Sequence, residues 1–488
     1  MNTAAPTGSN ANGPPRIAVI GGGISGLAAA HRLLAIAPSA HVVLYESSRR
    51  LGGIIRTEEA DGFLMELGPD SFITNKPAGI KLCEELGYLP QLTHTDARYR
   101  RSLVLAKGRP LPVPDGFMLM APEKPLALLA SPVLSIPGRL RLLAEYFLPG
   151  RPAKGDESLA SFVRRRFGSE ALDRLIQPLI GGIYTADPER LSLNATLPRF
   201  PEMEATCGSV IRGVLAQRKA ARAAGKTATT ESSSGARYGL FTAPARGLSD
   251  LIATLEKHLR QNPAMEFRLG TPVLAIQPDE TTPHWLVRSP AGTDSFHSVI
   301  ITLPAWAAAD LLQHYRLSQL QTKLREIPYA SSAIVVSGHS LQDFKHPMDA
   351  FGLVIPAVEN RRILAVSFSS RKFPNRAPEG QIVLRTFVGG AMQPKLLDYN
   401  DEDLVRIVNE ELTDIFGMHR EPLFAEVVRY PKAMPQYEVG HAERVAAIEH
   451  ELTACQGLCL AGSAYYGVGI PDSIASGRQA AEKAIRTF

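Results

Sequence analysis

Three glycines carry the first chemistry that the chain announces. Gly21, Gly23 and Gly26 stand at G-x-G-x-x-G spacing, after the apolar run Arg16-Ile-Ala-Val-Ile20 and before a helix-forming run that begins at Leu27. Gly21 permits a tight turn, Gly23 lets the backbone approach a pyrophosphate, and Gly26 lets helix and strand pack closely. The amides and dipole of a helix N-terminus favour an anion. Glu46 closes a second apolar run, His41-Val-Val-Leu-Tyr-Glu46, 20 residues past Gly26. A carboxylate there can accept hydrogen bonds from ribose hydroxyls. Strand, turn, helix, strand and terminal acid together specify a dinucleotide. A glycine-rich turn in an ordinary α/β unit is the plainer alternative.

The residues just after Glu46 separate nicotinamide from flavin. Nicotinamide enzymes repeat βα units directly after the first, whereas here Arg50-Leu-Gly-Gly-Ile-Ile-Arg56 interrupts. Gly52 and Gly53 let the backbone pass close to a ligand, and Arg50 or Arg56 can neutralise phosphate. Glu66-Leu-Gly-Pro-Asp-Ser-Phe72 then offers backbone groups to an isoalloxazine ring. Each segment alone is an ordinary Gly/Pro turn. At the far end, Leu460-Ala-Gly462 and Tyr466-Gly-Val-Gly-Ile-Pro-Asp472 precede a helix. The N-terminus of that helix could face the pyrimidine edge of a flavin, where negative charge develops on reduction.

These motifs must be positioned by more than one core, because 488 residues exceed what one core supports. Hydrophobic content is 45% and charged content 21%, ordinary for a globular protein. A net charge of +5 is a mild excess that does not argue for nucleic acid. It suits acidic small molecules or an anionic lipid surface. Cys455 and Cys459 are close but have no His pair beside them, so reduced, buried thiols in a cytoplasmic setting are expected and a metal is not. Residues 1–15 lack a signal-like apolar run and read as a disordered lead-in. No window offers the apolar length of a spanning helix.

The pattern predicts helices over 158–167, 170–179, 248–261, 401–416 and 473–487, with Ser158 able to cap the first. Strands are predicted at Val273–Ile276, Trp285–Ser289, Phe296–Leu303, Ala333–Ser337, Phe351–Ile355, Ile363–Ser369, Ile382–Gly389 and Gly457–Gly462. The expected fold class is α/β, a Rossmann-like nucleotide-binding domain with an inserted α+β domain and a helical subdomain. The nucleotide domain is expected to be discontinuous, over 16–90, 240–305 and 455–488. A substrate domain is expected over 91–116 and 306–454, a helical subdomain over 117–215, and a linker or loop over 216–239.

The chain resembles the flavin amine-oxidase superfamily in Gly21–Gly26, Glu46, the Gly52-Gly53 pair with Arg56, and Ala461-Gly462. Within it, the resemblance is to the oxygen-dependent protoporphyrinogen/coproporphyrinogen oxidase family. It is carried by Glu66–Phe72, Pro178-Leu-Ile-Gly-Gly-Ile-Tyr-Thr-Ala186, Ala350-Phe-Gly-Leu-Val-Ile-Pro356, Gly467-Val-Gly-Ile-Pro-Asp-Ser-Ile474 and Gly477-Arg-Gln-Ala-Ala481. It runs from Ile17 to the C-terminus. The implied cofactor is non-covalent FAD. Its expected contacts are Gly21, Gly22, Gly23, Ile24, Ser25, Gly26, Glu46, Ser47, Arg50, Gly53, Gly68, Pro69, Asp70, Ser71, Val273, Val468, Gly469 and Ile470. The implied substrate is a porphyrinogen of haem biosynthesis, protoporphyrinogen IX or coproporphyrinogen III, between which the sequence does not choose. Six electrons would leave in three two-electron steps, with O2 reduced to H2O2 each time. By family position, Gly182 lies beside flavin and substrate, Phe351 and Val354 line the pocket, Phe387 packs the opposite wall, and an arginine of Tyr99-Arg-Arg-Ser102 binds a propionate.

Residue chemistry agrees with that picture in outline. A tetrapyrrole needs an apolar slot with a few cations at its rim. Phe351 and Phe387 can supply the slot, although core packing is the plainer role for a strand phenylalanine. Arg98, Arg100 and Arg101 cluster, and an exposed basic face is the plainer reading; Arg101 is the first choice for a propionate and Arg98 the second. No acid–base pair stands out. Removing hydride from a methylene flanked by pyrroles needs alignment and exclusion of water, and a side chain at Gly182 would push the macrocycle off the flavin. Residues 117–148 resemble the family's membrane-resting helical segment, with an ordinary helical cover as the alternative. A peripheral membrane contact and a homodimer are both left open. Two other readings compete: an amine oxidase or carotene desaturase of the same superfamily, and a non-catalytic FAD- or porphyrin-binding protein. Ser463, which follows Gly462, departs from the acidic residue usual in amine oxidases.

Overall fold

A computed structural model describes residues 14–122, 124, 128–151, 155–223, 241–312 and 314–487. The first sheet has five parallel strands in the order Met265–Leu269, His41–Glu46, Arg16–Ile20, Ser298–Ile301 and Leu458–Leu460. Its central strands are continuous apolar runs because both faces are covered. Helices Ile24–Ile36, Leu248–Arg260 and Ile470–Ala484 pack on one face and share a core with the sheet through Leu27, Val42, Leu255, Ile300 and Ile474. Gly477 is what lets the first and last helices touch: a Cβ there would stand 2.1 Å from the Ser25 carbonyl oxygen. Helices Ala305–Leu311 and Ser318–Arg325 cover the other face with a three-stranded meander over 275–296. That meander starts at Ala275, so Val273 lies just outside the strand expected for it.

The second sheet has seven strands in the order Phe424–Pro435, Tyr329–Ser340, Gln381–Gly389, Ala365–Phe368, Gly352–Val354, Leu103–Ala106 and Arg109–Pro112. Its pairs are antiparallel except Gly352–Val354 with Leu103–Ala106. Helix Asp401–Phe416 packs on it through Leu404, Val408 and Leu412, with the Asn400 side chain accepting from the Asp403 N–H as its cap. The long strand Phe424–Pro435 has no counterpart in the sequence reading. It contains Pro431, which cannot donate to a ladder and is tolerated because this strand is an edge.

The helical part includes Ile136–Leu143 and then Leu159–Phe167, the latter capped by the Ser158 hydroxyl as expected. The helix expected over 170–179 is instead three pieces: Ser169–Ala171, a π-helical turn Leu172–Ile176, and Gln177–Tyr184. Pro178 has no N–H for the Arg174 carbonyl, and the Gln177 N–H reaches five residues back to the Leu172 carbonyl. At the heart of this part Arg166 and Glu145 form an ion pair at 1% and 0% side-chain exposure. The Glu145 carboxylate also accepts from the Ser209 hydroxyl and the N–H groups of Val210 and Ile211, at the start of helix Val210–Ala223. That helix occupies the described start of the stretch read as a linker; residues 224–239, like 1–13, lie outside the described residues. Among the described residues no helix is long and apolar enough to cross a membrane.

Three buried imidazoles, His31, His339 and His441, are each held near a pKa of about 4, chiefly by burial. Folding therefore favours their neutral forms. That contribution is complete above the unfolded value of about 6.5 and is lost as pH falls toward 4. The melting temperature should drop across that window, and His339→Gln should flatten the drop. Scanning calorimetry as a function of pH checks this; a slope unchanged by the substitution would contradict it.

Candidate active site

The glycine turn is built for a ligand's close approach. Gly21 has φ +107° and its N–H donates to the Tyr45 carbonyl at 2.8 Å. A Cβ on Gly26 would stand 2.0 Å from the Gly21 carbonyl oxygen, so nothing larger than glycine fits there. Gly23 differs: among the described residues a Cβ would meet nothing within 4 Å. The Gly52-Gly53 loop runs alongside, bridged to Gly23, with the Gly52 N–H on the Gly22 carbonyl at 2.8 Å. Helix Ile24–Ile36 starts at Gly23 without any capping side chain, and Ile24 and Ser25 are buried in its first turn. An uncapped N-terminus beside an unfilled glycine surface fits a diphosphate.

Glu46 orders the far side of the turn. Its carboxylate accepts from the Gly22 N–H at 2.7 Å, the Ser48 N–H at 2.8 Å and the Ser47 hydroxyl at 3.4 Å. The N–H groups of Gly270 and Thr271 bond to the carbonyls of Ser48 and Glu46, which draws the segment leading to half-buried Val273 alongside. Arg50 or Arg56 was expected to neutralise phosphate. The Arg50 guanidinium donates to the carbonyls of Leu51, Gly53 and Ile55, which shapes the loop around Gly53. Arg56 pairs with Glu58.

The 66–72 loop is gripped by groups that local sequence patterns do not single out. Glu66, 2% exposed, pairs with Arg376 at 3.0 Å and accepts from the Leu248 N–H and the Thr57 hydroxyl. Burial pushes its carboxyl up, against the pull of Arg376. The Leu67 carbonyl takes the Tyr430 hydroxyl, and the Gly68 carbonyl takes Arg385. A Cβ on Gly68 would stand 1.9 Å from the Ile54 carbonyl oxygen. Asp70 contacts Lys372 at 3.0 Å and Arg385 at 3.2 Å. Burial alone would raise its carboxyl, but these two cations and the Ser71 hydroxyl hold it well below the ordinary carboxylate range. Asp70 and Ser71 were expected at the cofactor; the structure engages both side chains with Lys372, beside half-buried Pro69.

At the C-terminal unit, Gly469 precedes helix Ile470–Ala484 and Val468 packs against the helical core. Asp472 accepts from the Gly469 N–H at 3.3 Å and pairs with Lys76 at 2.6 Å. This anion sits on the helix end expected to meet the flavin, with its charge balanced by Lys76.

The substrate candidates fall into two groups. Val354, Ala365, Phe387 and Ile334 are directly opposite one another across four strands and so share a face of the second sheet. Gly182 is exposed, and among the described residues a Cβ on it would meet only Val354 Cγ1, at 3.9 Å. Gly182, Val354 and Phe387 are thus gathered on one side. Phe351 is 5% exposed, with its N–H on the Arg101 carbonyl at 2.9 Å. Arg101 is itself paired with Asp349, Arg98 with Asp96, and Arg100 donates to the Thr95 carbonyl. A gap of about 20 Å³ between Gly181, Gly182, Thr185, Leu364 and Met392 has room for a single water.

The family model of flavin containing amine oxidoreductases matches residues 24–485. The chain belongs to that family. It is an oxidoreductase, and its cofactor is FAD. It is 32% identical over 479 residues to the coproporphyrinogen III oxidase of Bacillus subtilis (strain 168), covering 97% of this chain and 98% of that one. It is 28% identical over 495 residues to protoporphyrinogen oxidase 2, chloroplastic/mitochondrial, of Arabidopsis thaliana, covering 96% and 94%. A solved structure from Exiguobacterium sp. 255-15, itself provisionally named a protoporphyrinogen oxidase, superposes with a TM-score of 0.84 at 29% identity over 96% of this chain and 98% of that one. The residues present fit the flavin nucleotide where the test is steric, at Gly23 and its uncapped helix.

Gly23→Val should separate folding from cofactor binding in this flavoprotein. The added side chain meets no protein atom at its Cβ, so the apoprotein should melt as the parent does. Its FAD affinity should fall by about 100-fold, or roughly 2.7 kcal/mol. Titrating apoprotein with FAD while following flavin fluorescence measures this; parental affinity would show that the cofactor does not pass over Gly23.

Proposed function

We propose that this enzyme oxidises a porphyrinogen to the corresponding porphyrin, in haem biosynthesis, with O2 as final acceptor and H2O2 as product. The observation that carries this reading is Gly182, exposed and side-chain-free before an apolar row of Val354, Ala365 and Phe387. The full-length likeness to relatives named coproporphyrinogen III oxidase and protoporphyrinogen oxidase supports the same substrate class. Bound FAD would supply the two-electron acceptor in each of the three steps. The chain's own part is alignment. The row of Val354, Ala365 and Phe387 is apolar and carries no titratable group, so it suits an apolar macrocycle whose oxidation needs no side-chain base. Arg101, beside Phe351 and half-exposed, meets a propionate by exchanging part of its contact with Asp349.

The deciding experiment mixes purified protein with anaerobically prepared coproporphyrinogen III or protoporphyrinogen IX and then admits air. Porphyrin fluorescence should grow together with H2O2, and the faster substrate identifies the physiological one. Gly182→Leu should keep FAD and lose turnover. A yellow protein that leaves both porphyrinogens untouched, or that oxidises amines instead, overturns the reading.

The same reading places the enzyme against an anionic lipid surface. Ile136 and Leu140, one helical turn apart, are 68% and 59% exposed, and Phe147 is 77% exposed, with Arg139 and Arg212 nearby in the same part of the fold. The wild-type protein should co-sediment with phosphatidylglycerol vesicles and Phe147→Asp should not. Equal sedimentation of the two, or of neither, removes the lipid contact from the reading.

A further inference from the structure

The segment Pro435-Gln-Tyr-Glu-Val-Gly-His441 joins the edge strand Phe424–Pro435 to helix His441–Thr453. It carries two aromatic rings that no motif above includes. Tyr437 is 1% exposed and stacks on His441, with ring centroids 3.8 Å apart and planes 13° from parallel. The Tyr437 hydroxyl donates to the Ser463 carbonyl at 2.7 Å and accepts from the Gly467 N–H at 2.7 Å. Its donor and an acceptor site are both used, and they hold the two ends of one loop. His441 holds the middle: its Nε2 is 3.2 Å from the Tyr465 carbonyl. A carbonyl only accepts, so Nε2 carries the proton and the buried Nδ1, which has no partner among the described residues, does not. The pair is anchored from behind. The Ser192 N–H donates to the Tyr437 carbonyl at 2.7 Å, and the Val439 N–H to the Arg190 carbonyl at 2.9 Å. Residues 463–467 lead directly into Val468, Gly469 and the start of helix Ile470–Ala484.

We propose that Tyr437, backed by His441, is a positioning residue that sets where the 463–469 loop meets the flavin. This rests on the reading that Val468, Gly469 and Ile470 contact the cofactor; it does not rest on which substrate is oxidised. The hydroxyl ties loop entry and loop exit to one rigid ring, and the anchors at Arg190 and Ser192 make that ring part of the helical domain that carries Gly182. Flavin and substrate sides of the site are thereby held in one register.

Tyr437→Phe tests this, because it keeps the stacked ring and removes only the hydroxyl. Titrated with FAD, the apoprotein variant should bind about tenfold more weakly, and the bound flavin's visible absorption maxima should shift. Tyr88→Phe, which removes a buried hydroxyl bonded to Asp250, is the control and should leave both readings at parental values. His441→Phe, which keeps an aromatic ring against Tyr437 and removes the donor to Tyr465, should move the FAD affinity in the same direction by less. Parental affinity and an unshifted spectrum in Tyr437→Phe overturn the proposal, as does an equal change in Tyr88→Phe, which would mark general destabilisation. Failure to oxidise porphyrinogens, with these flavin readings as expected, would overturn the substrate reading and leave this one standing.

Discussion

The burial of charge between the two sheets is the constraint on which the rest of this molecule depends. Glu66 and Asp70 leave the glycine-bearing half of the chain and meet Arg376, Arg385 and Lys372 from the second sheet and its connections. Desolvating such groups costs several kcal/mol per ion, and mutual attraction returns this only where geometry is good and the remaining lone pairs are satisfied. Here Thr57, Ser71 and the Leu248 N–H supply those extra bonds. A buried pair of this kind adds little net stability. Removing one partner is costly, however, which makes the pairing specific. Its effect is geometric: the 66–71 loop has one place to be, and the two sheets have one mutual orientation.

Much of the nucleotide half was legible in local sequence. Gly21, Gly23 and Gly26 reveal themselves because steric demands on a turn act over a few residues, and the apolar strands around them are buried on both faces. Helix Asp401–Phe416 was legible for the same reason, with its cap and its periodic apolar face both local. The hairpin Thr57–Ala60 with Phe63–Glu66 was missed although Asp61-Gly62 signals it; both residues have positive φ, as the tight turn requires. Strand Phe424–Pro435 was hidden by Pro431, which reads as a breaker until the strand is known to be an edge.

The candidate site was legible in its glycines and not in its cations. A glycine is required by its immediate backbone, so Gly26 and Gly68 can be found from spacing. Arg385 is 317 residues from the Gly68 carbonyl it binds, and no local pattern connects them. Arg50 and Arg101 illustrate the converse. Their charge suggested ligand phosphate and propionate, yet each guanidinium has protein partners that residue type alone cannot reveal. Asp70 changes character for the same reason, from a loop carboxylate to one member of a buried cluster.

The contact between Gly477 and Ser25 has a consequence for how the molecule is made. The first and last helices pack against each other, and Leu458–Leu460 forms an edge of the sheet that begins at Arg16. During synthesis the opening βαβ unit emerges long before its partners exist, so its apolar faces must wait for the chain's final helix. Contacts this distant in sequence slow folding and prolong exposure of unpaired strands. A nascent chain of this design depends on whatever shields it, and a polypeptide that stops before helix Ile470–Ala484 has no completed nucleotide fold.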